Sequence, residues 1–327
     1  MSHRSPASWG SLAAVFLVVA LVPGLAAGQA APRTAWGAPD LQGVWTSSTL
    51  TPLERPSELA GKEYLTEEEA TALERRAAAN QFVDRPPREG DPGTYNQVWF
   101  DRSTALVPNR RTSLIVSPPD GRIPYTPEAR ARQADNAQRR EFGPYHSWLD
   151  IDTGERCITD GVPMIWQGYN ANHQIVQTPD HVVIVHEMFN QYRIIPLDGR
   201  PHLSAPRWNG DMRGRWEGDT LVVESTNFAD KTEYRWANVW REPSPTMHLV
   251  ERFTRVDAHT IMYRATITDP SKFTSPWTVE LPLTTNQAER GVTTGSLYEY
   301  ACHEGNRAMT NVLSGARAQE RASQSTR

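Results

Sequence analysis

Two side chains that exchange protons, His186 and Glu187, stand next to each other near the end of an apolar run. Imidazole and carboxyl groups are the most frequent general acids and bases in enzymes. The run HVVIVHEMF alternates as a β-strand does, and Asn190-Gln191 is a suitable turn. Adjacent residues of a strand point to opposite faces, so only one of the pair would enter a lumen unless a bulge intervenes. A structural histidine at position 186 is the alternative interpretation.

Arg193 and His303 extend this candidate centre. Arg193 lies in the next predicted strand and would clamp an anionic substrate, while His303 belongs to a second His-Glu pair directly after Cys302. We therefore predict His186, Glu187, Arg193 and His303 as catalytic residues. No metal or other cofactor is predicted, because the helical zinc motif H-E-x-x-H is absent. If a metal is bound, its ligands would be His173, His186 and His303.

Charged side chains also interrupt several apolar strands. They are Glu224, Glu251, Arg264, Glu280 and Glu299. Two interpretations stay open: the charges lie on a solvated outer face, or they face a polar lumen in which carboxylates bind a hydroxylated ligand. We retain Glu251, Glu280 and Glu299 as candidate ligand-binding residues under the second interpretation.

A polar loop segment and a tryptophan pair supply further ligand-binding candidates. Asp211 and Arg213, in the stretch WNGDMRGRWEGD, belong to a polar group whose arginines would clamp a carboxylate-bearing substrate, or in which Arg–Asp pairing would lock a loop. Trp236 and Trp240, four residues apart, would form a lid over a sugar or aromatic ligand.

The cysteines and the N-terminus predict export to the periplasm or the medium. Residues 1–30 carry an apolar run followed by small residues, which is typical of a signal peptide, and the run is short for a membrane span. Cys157 and Cys302 are the two cysteines, and in an oxidising compartment they are expected to form one disulfide. A formal net charge of −4 gives no reason to expect nucleic acid as a partner.

The pattern of elements predicts a mainly β protein. Residues 31–149 are expected to form an irregular wrapping segment with two helices, one capped by Thr66 and one by Thr126, and one strand, residues 112–116, between them. Residues 150–318 contain a series of short strands separated by tight turns, which predicts an antiparallel meander closed into a β-barrel, with a β-sandwich as second choice. Residues 319–327 are expected to be a disordered tail.

The mature chain contains a series of recognisable stretches: WGAPDLQGVWT, RRTSLIVSPPDGRIP, ERCI, QIVQTPDHVVIVHEM, RIIPLDGRPH, GRWEGDTLVVES, HLVERFTRVD and EYACHEGN. Together they resemble a large family of uncharacterised exported proteins from soil and marine bacteria. The resemblance extends from about Trp36 to Ala318 and implies a calycin-type, lipocalin-like barrel. It assigns no activity to any residue.

These features predict a barrel enzyme that acts on a small hydroxylated or aromatic molecule by acid–base chemistry, as a lyase, isomerase or hydrolase. The expected partner is a small-molecule ligand or substrate, with neither nucleic acid nor a membrane after signal cleavage. The alternative is a non-enzymatic carrier or scavenger of the same fold. The absence of a G-x-S-x-G elbow and of a glycine-rich phosphate loop disfavours α/β-hydrolases and nucleotide enzymes.

Overall fold

A single curved antiparallel sheet dominates the computed structural model of this chain. The structure describes residues 32–84, 86, 97, 100–165, 168–230, 239–285 and 297–325. The predicted signal peptide lies outside the described residues. The strands are β1 (Gly43–Thr46), β2 (Ile115–Ser117), β3 (Asn172–Gln177), β4 (His181–His186), β5 (Gln191–Pro196), β6 (Asp211–Glu217), β7 (Thr220–Thr226), β8 (His248–Arg255), β9 (Thr260–Thr268) and β10 (Trp277–Thr284).

The strand order is β5-β4-β3-β1-β10-β9-β8-β7-β6, and β2 also pairs with β10. The sheet curls until its edge strands β5 and β6 meet through side chains. Arg193 Nε in β5 contacts Met212 Sδ in β6 at 3.2 Å, and a Cβ on Gly214 would lie 2.7 Å from Ile195. The predicted β-barrel is therefore confirmed. It is nearly closed and not fully closed, because no backbone hydrogen-bond ladder joins the described residues of β5 and β6.

Alternation along the strands fills the interior. Side chains such as Ile184, Phe253 and Leu281 are buried, while the intervening residues are partly or fully exposed. The register of adjacent strands places inward-facing residues opposite one another. One such row of cross-strand partners consists of Val223, Glu251, Ala265 and Val279. One carboxylate, that of Glu251, therefore stands in an otherwise apolar row.

The described residues form three α-helices beside the sheet. α1 (Glu67–Asn80) begins after Thr66, which forms the predicted capping box with Glu69. α2 (Pro127–Phe142) begins after its N-cap Thr126 and is tied to the barrel by Asn136, which donates to buried Glu242 at 2.8 Å. Both predicted helix starts are confirmed.

The N- and C-terminal parts of the chain differ from the sequence prediction. The segment predicted to wrap the barrel also supplies β1, which lies between β3 and β10, whereas β2 overlaps the strand predicted at residues 112–116. The strand predicted over SLYEYACHE is not formed at residues 297–304. Helix α3 (Ala308–Ser325) occupies most of the segment predicted to be a disordered tail, and an Arg317–Glu320 ion pair at 2.6 Å supports it.

Candidate functional site

The chain leaves the sheet at the end of β4, and this exit buries both His186 and Glu187. β4 ends at His186, and Glu187 adopts helical backbone angles of −61° and −44°. Phe189 and Asn190 then take left-handed conformations, with φ of 61° and 48°, before β5 begins. Strand alternation therefore stops at His186, and each of the two side chains is only 3% exposed. Strict alternation would have placed His186 and Glu187 on opposite faces of the sheet, and the turn after His186 allows both side chains to be buried.

Amide groups surround the Glu187 carboxyl. Asn172 Nδ2 donates to one oxygen at 2.6 Å, and the backbone N–H of Tyr298 donates to the other at 3.4 Å. The Asn170 side chain is a further hydrogen-bond partner. Among the described residues, no lysine or arginine forms an ion pair with this carboxyl. Glu187 is thus a buried carboxyl held by neutral donors.

The electrostatic environment raises the pKa of Glu187 above its ordinary value of 4.5. Burial is the largest cause, because it disfavours the charged form, and the nearby Asp101 carboxylate adds to it. The hydrogen bonds from Asn172, Tyr298 and Asn170 lower the pKa without cancelling the rise. A carboxyl shifted in this direction is closer to the working range of a general acid or base near neutral pH.

Aromatic rings form a row that begins at the turn carrying this carboxyl. The rings of Phe189 and Tyr300 are 4.9 Å apart, those of Tyr300 and Tyr169 are 6.4 Å apart, and those of Tyr169 and Phe100 are 5.7 Å apart. Asn190 fixes Tyr300 by bonding its backbone N–H at 3.1 Å and its carbonyl at 3.2 Å. These rings are partly exposed. Chain segments far apart in sequence therefore meet at the Glu187 turn and offer ring faces next to it.

His186 pairs with His173 on the inner face of the sheet. Their Nδ1 atoms are 3.0 Å apart, and His173 Nε2 lies 3.1 Å from the Ser47 hydroxyl. Burial, followed by the Arg193 charge, lowers the pKa of His173 to about 3. The pKa of His186 is also well below its ordinary value, through burial and then the charges of His173 and Arg193. Both rings are neutral at physiological pH.

Arg193 binds the buried Glu251 instead of standing open to a substrate. Its two terminal amino groups contact the two Glu251 oxygens, one of them at 2.9 Å, and both side chains are fully buried. Tyr263 donates to the same carboxylate at 2.7 Å and accepts from the Met164 N–H at 3.0 Å. Two predicted site residues, Arg193 and Glu251, are thus brought together as a structural pair in the barrel interior.

The other ligand-binding candidates lie apart from Glu187. Asp211 and Arg213 form an ion pair at 3.0 Å, and Arg213 also bonds the Arg200 and Pro201 carbonyls, which is the loop-locking arrangement. Glu280 pairs with Arg111 and Arg264, each at 3.0 Å, on the outer face.

The remaining candidates are Trp240, Trp236 and Glu299. Trp240 is buried edge-to-face against Trp277 with ring centroids 6.0 Å apart, so it belongs to the core and forms no lid. Trp236 lies outside the described residues. Glu299 is exposed.

The predicted Cys157–Cys302 disulfide is confirmed, with Cα atoms 5.6 Å apart. It leads into an exposed turn that carries His303, whereas His173 and His186 are buried. The described residues contain no group of three or more histidine, cysteine, aspartate or glutamate side chains arranged to hold a metal. Of the three histidines considered as metal ligands, His173 and His186 therefore lie in contact, whereas His303 is exposed on a separate turn.

Sequence reasoning missed Asp101, Asn172 and the aromatic row. Asp101 belongs to an irregular segment, and Asn172 is the first residue of β3, so no periodic pattern marks either one. The aromatic residues come from four separate segments, and a single sequence holds no signal that brings such segments together.

A concavity lies on the surface beside α2. It is an open cleft of about 690 Å³, and its walls include Glu54, Asp120, Arg122 and Arg130. Opposite charges line it together, and none of the predicted catalytic residues reaches it. The cleft is therefore separate from the chemistry of the Glu187 turn.

Within the described residues, no helix has the length and apolar character needed to cross a membrane. No protein-family model, curated protein or solved structure matches this chain significantly. The chemistry of the residues themselves is consequently the basis for inferring a function.

Proposed function

We propose that this chain is an exported enzyme that acts on a small hydroxylated or aromatic molecule by acid–base chemistry, of the lyase, isomerase or hydrolase type. The Glu187 carboxyl is the group that exchanges the proton. The observation that carries this proposal is a carboxyl only 3% exposed, with a raised pKa and no cationic partner among the described residues. Such a group is costly to bury and is more often found where a protein performs chemistry.

The surroundings of Glu187 support the substrate class. The partly exposed rings of Phe189, Tyr300 and Tyr169 provide flat faces for a sugar or an aromatic ring. Asn172 holds the carboxyl in one orientation, which a proton transfer requires. Cys302, whose disulfide with Cys157 supports export, lies in the same C-terminal segment as Tyr298 and Tyr300.

The experiment compares purified wild-type protein, Glu187→Gln and Glu304→Gln on a panel of glycosides, lactones and phenolic compounds. Glu187→Gln preserves the shape but removes the titrating proton, so turnover should fall by about 10²- to 10⁴-fold. Glu304→Gln, an exposed carboxyl beyond the disulfide, is the matched control and should retain wild-type turnover. Equal turnover by all three proteins on a substrate would remove Glu187 from the mechanism.

The alternative is a lipocalin-like carrier, and the same proteins separate it from the enzyme. A carrier would retain a panel compound through purification and release it unchanged, with the same affinity in Glu187→Gln as in the wild type. The central barrel interior gives this alternative less support, because Arg193, Glu251 and Tyr263 occupy it with a bonded polar group.

A further inference from the structure

The inner face of the β4–β5 hairpin carries two buried polar atoms, Nε2 of His186 and Nε2 of Gln191, that have no hydrogen-bond partner among the described residues. His186 and Gln191 are directly opposed across the two strands. Both follow the inward-facing alternation of their strands, which continues with Ile184 and Arg193. Opposed residues have Cβ atoms about 4.5–5.5 Å apart, so one small group can reach both. Buried polar atoms of proteins nearly always have a hydrogen-bond partner, so we expect a bound group to contact these two atoms.

The hydrogen bonds behind His186 determine the character of its free nitrogen. The Ser47 hydroxyl donates to the Ala171 carbonyl at 3.2 Å, so we assign its 3.1 Å contact with His173 to the tautomer in which Nε2 carries the hydrogen. His173 Nδ1 is then the lone-pair nitrogen and accepts from the Nδ1–H of His186. A neutral imidazole has one proton, so His186 Nε2 is a hydrogen-bond acceptor.

The Gln191 side chain is oriented by Thr159. The Thr159 hydroxyl has one hydrogen and two nearby amide oxygens, Gln191 Oε1 at 2.5 Å and Asn209 Oδ1 at 2.9 Å. Donation to the nearer oxygen fixes the Gln191 amide, and its NH₂ group remains as a donor. An acceptor and a donor thus stand side by side on the inner face.

We propose that His186 Nε2 and Gln191 Nε2 together bind one hydroxyl group of an alcohol or phenol at this end of the barrel. The hydroxyl donates its hydrogen to His186 and accepts one from Gln191, which satisfies both atoms. A carboxylate would instead bring lone pairs against the lone pair of His186. The inward-facing neighbours Ile184 and Ile195 are fully buried and apolar, so they suit the carbon body of the ligand.

This site is distinct from the Glu187 carboxyl and does not depend on its chemistry. Asn172, which holds Glu187, and His173, which holds His186, are neighbours in β3 and therefore point to opposite faces of the sheet. Loss of Glu187 activity and loss of hydroxyl binding are consequently separate results.

The test uses phenol and toluene as probes, because they share an aromatic ring and differ mainly in the hydroxyl. Nitrogen-15 NMR of the histidine side chains follows His186 Nε2 in the full-length protein during each titration. We expect phenol to shift the His186 Nε2 resonance as a new hydrogen bond does, and to bind about 10-fold more tightly than toluene.

Variants locate the effect. Gln191→Leu should weaken phenol binding about 3- to 10-fold and leave toluene binding unchanged. Gln174→Leu, at an exposed position of β3, is the matched control and should bind both probes as the wild type does. Equal affinity for phenol and toluene, or no shift of His186 Nε2 with phenol, would overturn the proposal.

Discussion

Two buried glutamates in this protein have opposite surroundings. Glu251 lies in the barrel interior, where Arg193 and Tyr263 bond both of its oxygens. Glu187 lies at the turn after β4, where its described partners are neutral amides and its neighbour Asp101 carries the same charge. Burial of a carboxylate is costly in both places, but only the first is compensated by an opposite charge. The comparison indicates that Glu251 is structural and that Glu187 is the group available for proton exchange.

The largest expected effect comes from breaking the structural pair. Arg193→Met leaves Glu251 buried without its cation, so the free energy of unfolding should fall by about 3–5 kcal/mol. Urea denaturation measures this change. The double variant Arg193→Met/Glu251→Leu removes both charges and should recover most of the loss. A single variant as stable as the wild type would show that the pair does not hold the barrel interior.

Removal of the disulfide should mainly affect the region around the Glu187 turn. Replacing Cys157 and Cys302 with serine opens a link between residues separated by 145 positions and should cost about 2–4 kcal/mol. Because Tyr298 and Tyr300 lie just before Cys302, the Glu187 turn should lose protection from amide hydrogen exchange more than the strands around Glu251 do. Uniform loss of protection in both regions would contradict this division.

A smaller expected effect is the pH dependence of the free energy of unfolding that Glu187 causes. The pKa of Glu187 is raised in the folded protein, so above pH 4.5 there is a window in which the native state keeps a proton that the unfolded chain has lost. The stability of the wild type therefore falls as pH rises through that window. Glu187→Gln removes this contribution, so its stability relative to the wild type should rise across the window and then level off.

Urea denaturation from about pH 4 to about pH 8 measures this difference. Glu304→Gln, at an exposed position, is the matched control for replacing a glutamate with glutamine. If the relative stability of Glu187→Gln is flat or falls with pH, then ionisation of Glu187 does not destabilise the fold.

Local sequence signals predicted the barrel and the helices α1 and α2, but not α3. The Thr66 capping box, the Thr126-Pro127 helix start and the strand alternation each depend on neighbouring residues, and the structure confirms them. β1 escaped prediction because it has four residues and begins at Gly43 with φ of 130°, so it carries too little alternation to be detected.

The residue types of the candidate site were predictable from the sequence, but their arrangement was not, because it depends on contacts between residues far apart in the chain. The sequence marked His186 and Glu187 as chemically able, but their burial depends on left-handed conformations at Phe189 and Asn190, which pattern does not reveal. Arg193 and Glu251 were each marked, but their pairing requires the curvature that brings β5 close to β8. Long-range geometry, and not residue type, decides which charges become structural.

The most direct test of the central claim is the pKa of the Glu187 carboxyl itself. Carbon-13 NMR of the labelled carboxyl across a pH titration of the folded protein reports it. We expect a titration midpoint above 4.5, because burial and Asp101 disfavour the carboxylate. A midpoint at or below 4.5 would contradict the account, since Glu187 would then be a stabilised carboxylate like any other hydrogen-bonded one.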